Sequence, residues 1–145
     1  REVIAAGAQR FNDIALDIRE PDARLALARL TARLWREAAH VQVAAAIALD
    51  ETHVAETAAA LAPLRRRVME IVRLGQDAGE LRTDVAAPTL ARLVEETART
   101  VVTRMDASSA AAPAIAVRAV LGIAGLSWRE AAALIDAHPE LEAIL

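Results

Sequence analysis

Apolar residues recur along this chain at helical spacing, and nowhere do they alternate at period two for long enough to predict a strand. Val3, Ile4, Phe11, Ile14, Ala15 and Ile18 mark a first helix over residues 3–18, and Pro21, suited to a first turn, opens a second. In that second helix Ala23, Leu27, Leu30, Leu34 and Ala38 line one side, while Arg24, Arg29, Arg33 and Arg36 occupy much of the rest. Residues 41–49 are apolar apart from Gln42, which predicts a short helix enclosed on all sides. Asp50 and Thr52 are candidate N-caps for a long helix running to about Gln76, with a kink expected at Pro63.

Gly79 falls just past that helix, where a left-handed residue is wanted, and Leu81 follows as the usual apolar contact. Asp84 is the expected cap of the next helix, about residues 86–105, whose stripe is Leu90, Leu93, Val94, Thr97, Val101 and Met105, with Arg92, Glu96 and Arg99 turned away. Residues 106–112 form a loop. Beyond Pro113, the segment Ile115 to Leu126 is apolar except for Arg118, and Ala119, Gly122 and Gly125 keep parts of its surface flat. Ser127 and Glu130 have the spacing of a capping box for a helix to about Ala137, and Pro139 starts a terminal turn.

Composition sharpens this into a fold class. Hydrophobic residues make up 55% of the 145, yet aromatics only 2%, so the interior is built from Ala, Leu, Val and Ile. Alanine is the best helix former, and the expectation is one all-α domain, a bundle of about six to eight helices. All 17 basic residues are arginine, a bias that reports a GC-rich genome rather than a function. A net charge of -3 and a pI near 5.6 exclude a polyanion-binding surface as the main business of this chain. With no cysteine there is neither a disulfide nor a thiolate metal site. The longest weakly charged stretch, Ala107 to Trp128, is interrupted by Ser108, Ser109, Pro113 and Arg118, which predicts no membrane span, and the lack of cysteine is compatible with the cytoplasmic location expected. The chain opens with Arg1 inside a helical pattern, so further residues are expected upstream.

The run Leu64-Arg65-Arg66-Arg67, the turn Gly75-Gln76-Asp77-Ala78-Gly79-Glu80-Leu81-Arg82-Thr83-Asp84 and the helix carrying Leu90, Leu93 and Val94 together resemble the C-terminal effector-binding and dimerisation domain of TetR-family transcriptional regulators. In that family a long helix ends at an Ala-Gly-Glu-Leu-Arg-like turn, and an Asp leads into the first of two dimerisation helices. The resemblance spans the chain. It implies that residues 1–18, with Phe11-Asn12, form the helix linking a DNA-binding module to the body. It further implies that residues 21–84 enclose an effector pocket, residues 86–126 hold two copies together, and residues 127–145 form a tail of unassigned role. The family's N-terminal helix-turn-helix is not in this chain, so operator DNA would be met only through a module outside it. A small-molecule effector, a lipophilic one given so many aliphatic residues, would act as the ligand. The expected function is thus that of a repressor's sensing region, released by that molecule.

Polar residues among the central helices are the expected ligand contacts: Trp35, His40, Gln42, His53, Thr57, Met69, Glu95 and Thr100. For each, core packing or capping is the plainer reading, and Arg65, Arg66 and Arg67 read as surface. Leu90, Leu93, Val94, Thr97, Val101, Ile115, Ala119, Gly122 and Ile123 are the expected contacts of a homodimer.

Glu37 and His40 have the carboxylate–histidine spacing of di-iron bundles, but neither His53 nor His138 has a glutamate three residues before it, so no metal and no cofactor is expected. No nucleophile elbow, phosphate-binding glycine loop or Ser/His/Asp set is present, and no enzyme is expected. Gly125 to Ala132 has the outline of the first half of a helix-turn-helix, yet acidic Asp136, Glu140 and Glu142 follow, so it reads as a capped helix start. Two other classes compete with the sensor: a helical adaptor binding a protein partner through the same apolar surface, and a metal-dependent helical-bundle enzyme. An unclaimed central cavity separates the sensor from the adaptor, and a metal analysis of the purified protein settles the enzyme.

Overall fold

The computed structural model describes residues 2–40, 59–104 and 112–142, and these are helical, with no strand among them. The helices are α1 (Glu2–Asp17), α2 (Ala23–His40), α3 (Ala62–Asp77), α4 (Ala87–Arg104), α5 (Ala112–Ala124) and α6 (Trp128–Ala137), followed by a 3-10 turn at Pro139–Leu141. The all-α bundle expected from the alanine-rich, aromatic-poor composition is what the chain forms. Its axis is α2 against α5: α4 flanks α5, α3 packs on α4 and α2, α1 lies over α2 and α3, and α6 with the 3-10 turn covers α5 from below.

Helical periodicity explains the packing. On α2 the stripe Ala23, Leu27 and Leu30 is buried, and on α5 Val117, Val120, Leu121 and Ala124 are wholly enclosed. Small residues at Ala26, Ala28, Ala32, Ala116 and Ala124, all nearly inaccessible, leave little side chain between neighbouring axes. Arg67 of α3 donates to the carbonyl of Ile18, satisfying one of the backbone acceptors left open where α1 ends.

Pro63 does not kink a continuous helix. Helical backbone at residues 59–60 gives way to a turn at Leu61, and α3 restarts with Pro63 in its first turn, where the absent N–H costs nothing. Nor does Asp84 cap α4: that helix begins at Ala87, and the Asp84 carboxylate is taken by Arg82, 2.6 Å away.

The turn after α3 is closed by backbone bonds and a glycine. Gly79 adopts φ +72°, and the N–H groups of Gly79 and Glu80 return to the carbonyls of Gln76 and Gly75, the two bonds of a Schellman motif. Leu81 folds back as the buried apolar contact. Gly75 is glycine because a Cβ there would meet Leu81 and lie 2.8 Å from the Ala23 Cβ. The Gln76 amide donates to the carbonyls of Arg82 and Val85, and the Arg82 N–H donates to Ala124 at the end of α5. One turn thus fastens α3, α4 and α5 together.

Ser127 and Glu130 form the expected capping box: the Glu130 N–H donates to the Ser127 hydroxyl at 3.1 Å, and the Ser127 N–H to the Glu130 carboxylate at 2.8 Å. Ser127→Ala is expected to cost about 1 kcal/mol in urea unfolding, the usual loss for an N-cap. Accepting from the Ser127 backbone holds the Glu130 carboxyl below its ordinary pKa. Its contribution is therefore complete above the ordinary glutamate range and fades as pH falls through the lowered value. A pH titration of stability in Glu130→Gln should lack that acid-side decline.

Candidate functional site

The core is not continuous. Its main cluster, running from Leu27 and Leu30 through Ile71, Leu90, Val94 and Leu121, stops short of two smaller ones: Ala8, Phe11, Ala38 and Leu61 on one side, Trp35, Val101, Ala112 and Ala116 on the other. Where the three fail to merge there is a cavity of about 240 Å³. Phe11 of α1 lies on one wall; Leu27, Leu30, Leu34 and Trp35 of α2 on another; Leu61, Leu64 and Val68 opposite; and Val94, Ala98 and Val101 of α4 with Ala116 of α5 complete it. Periodicity brings these side chains together, because residues 27, 30, 31 and 34 follow i, i+3, i+4, i+7 on α2, as do 94, 98 and 101 on α4.

Among the described residues, polar groups at the cavity are one interior hydroxyl and those of the rim. Thr31 is buried, and its hydroxyl donates to the Leu27 carbonyl at 2.7 Å. At the rim Arg65 of α3 meets Glu95 of α4 at 3.3 Å, with Arg92, Glu96 and Arg99 beside them. The basic run is thus divided in use: Arg65 bridges the rim, Arg67 closes the end of α1 and pairs with Glu70, and Arg66 is exposed.

Beside the cavity, α1 is fastened by a residue whose role the sequence did not announce. Asn12 is buried; its amide donates to the Ala60 carbonyl at 2.8 Å, and its oxygen accepts from the Leu64 N–H at 3.1 Å. The neighbouring Phe11, Leu61 and Leu64 all line the cavity. The only sequence signal was a lone Asn at a position where the apolar stripe is otherwise unbroken. Asn12→Ala leaves both backbone groups without that partner and is expected to cost about 1–3 kcal/mol in urea unfolding.

Of the eight residues expected to contact a ligand, Trp35 and Glu95 line the cavity. Met69 is half-buried and packs against the main core instead, since its place on α3 is one step round from Val68. Thr100 lies on the exposed side of α4 and donates to the Glu96 carbonyl. His40 ends α2 with its side chain outside the described residues, as are Gln42, His53 and Thr57. Glu37, considered for a metal, pairs with Arg10 of α1 at 2.9 Å. Among the described residues no three His, Asp or Glu side chains gather in a metal-binding group.

The expected dimer stripe divides similarly. Leu90, Val94 and Val101 are 0%, 4% and 8% exposed, spent inside the chain's own core, because α4 packs against α5 and α3, and to a lesser extent α2, of the same copy. Leu93, Thr97, Ala119 and Ile123 are half-buried, while Ile115 and Gly122 lie open, with nothing within 4 Å of a Cβ built on Gly122.

No family model, no curated protein and no solved structure matches this chain. Among the described residues no helix is long and apolar enough to cross a membrane.

Proposed function

We propose that this chain is the effector-sensing and dimerisation region of a TetR-type transcriptional regulator, with operator DNA contacted by a module outside it. The observation that carries the reading is the 240 Å³ cavity among α1 to α5, just below the usual range of ligand sites of about 300–1,000 Å³. A helical adaptor has no use for such a space, and the gap left between the described residues forfeits packing energy among them. Its position supports coupling as well as binding. Phe11 belongs to the helix that the family resemblance makes the link to the DNA-binding heads, so an occupant touching it acts on that helix. A ligand shifts such an equilibrium only by binding the two states unequally.

The proposed dimer uses Leu93, Thr97, Ile115, Ala119, Gly122 and Ile123, a narrower face than the sequence alone suggested, as a four-helix bundle about a twofold axis. Light scattering of the chain at tens of micromolar, the range of ordinary dimer affinities, is expected to give twice 15.4 kDa. Gly122→Arg on the open face should return the monomer without loss of helicity. A wild-type monomer at that concentration would sink the dimerisation half of the proposal. The sensing half fails if no small molecule, apolar or amphiphilic, raises the melting temperature.

A further inference from the structure

The lining of the cavity limits what can occupy it. Among the described residues its interior walls are aliphatic and aromatic, and the single hydroxyl among them, that of Thr31, already has an acceptor in Leu27. Among the described residues the one buried side-chain atom without a hydrogen bond is Arg29 Nε, which is not in the cavity and faces the Glu20 carboxylate at 2.8 Å. A polar atom carried into this space would lose water and gain almost nothing in return. Charge at the rim is of mixed sign, Arg65, Arg92 and Arg99 against Glu95 and Glu96, and so favours no single headgroup.

Volume sets the second limit. An apolar protein cavity of about 150 Å³ takes up benzene, and on that scale 240 Å³ corresponds to about ten carbons. We infer that the occupant is a neutral, hydrocarbon-like molecule of about ten carbons, bicyclic or compactly branched, held by shape and burial with no hydrogen bond inside the cavity. The inference rests on the sensing role proposed above and narrows it to one ligand class.

Naphthalene and quinoxaline make the test, since the two share a shape and quinoxaline replaces two ring C–H groups by nitrogen acceptors. Titration calorimetry of the 145-residue chain is expected to show naphthalene binding with a negative heat-capacity change. Quinoxaline should bind at least about tenfold more weakly, the least cost of burying an unpaired acceptor. Ala98→Phe, which extends a ring into the space from a half-buried wall position, should abolish naphthalene binding while circular dichroism stays that of the wild type. The comparison of the two probes needs no variant and stands whether or not Ala98→Phe folds.

Quinoxaline binding as tightly as naphthalene would overturn the inference and leave the sensor reading intact. So would uptake of octanoate or octylamine by a chain that binds neither ring. Failure of all four probes would remove the ligand class, while the sensing role falls only if no small molecule of any class raises the melting temperature.

Discussion

Replacing Gly125 with alanine is expected to lower the unfolding free energy by about 3 kcal/mol or more. Two costs add. Gly125 has φ +117°, which L-residues rarely adopt, and a Cβ at that position would stand 2.9 Å from the backbone nitrogen of Arg82 and 2.8 Å from its Cβ. Neither neighbour can yield easily, because the Arg82 N–H is itself bonded to the Ala124 carbonyl at 2.9 Å. Relief of the clash therefore pulls the turn after α3 away from the end of α5. Denaturant unfolding measures the loss, and Gly79→Ala is the informative control: Gly79 also has positive φ, but nothing lies within 4 Å of an added Cβ. That variant should lose only the conformational part, about 1 kcal/mol. Equal losses at the two glycines would show that the contact with Arg82 contributes nothing.

Leu121→Ala should cost about 2–5 kcal/mol, as removal of a fully enclosed leucine does where neighbours close in only partly. Leu121 is 0% exposed in the main core, on the helix packed against both α2 and α4. Leu34→Ala makes the contrast. Leu34 is half-buried and already borders the cavity, so its truncation widens an existing space and exposes no new tightly packed wall. Its expected loss is under half that of Leu121→Ala. Similar values for the two would mean that the space beside Leu34 is filled in solution.

Much of the fold was legible because its signals are local. Pro139, the Ser127–Glu130 pair and the Gly79-Glu80-Leu81 turn each fix backbone geometry within a few residues, and each does so in the structure, whereas Pro21 stands two residues before α2, whose first turn is met by the Asp22 carboxylate accepting from the Arg24 N–H. Pro63 was misread for a tertiary reason and Asp84 for a local one. At Pro63 the choice between kinking a helix and restarting one depends on Asn12, which holds the Ala60 carbonyl and the Leu64 N–H on either side of the break. Asp84 was drawn off its helix by Arg82, only two residues away.

The site was far less legible. A cavity is the place where packing stops, and Leu27, Leu30, Val68 and Val94 have the same spacing and apolarity whether a neighbour touches them or not. Seeking polar contacts therefore found Trp35 and Glu95 and overlooked the aliphatic walls. The stripe on α4 shows the same ambiguity. Core and interface both demand apolar residues at helical spacing, so Leu90, Val94 and Val101 could not be told from Leu93 before their exposure was known.

The two fastenings of α1 have a mechanical consequence. Asn12 grips the start of α3 and Arg67 reaches back from α3 to the Ile18 carbonyl, six residues further on, or about 9 Å along a helix axis. A rod pinned at one point swivels, whereas one pinned at two does not. The stretch of α1 from Asn12 to its end is therefore held to α3 at two points, so that swivelling about either one alone is blocked.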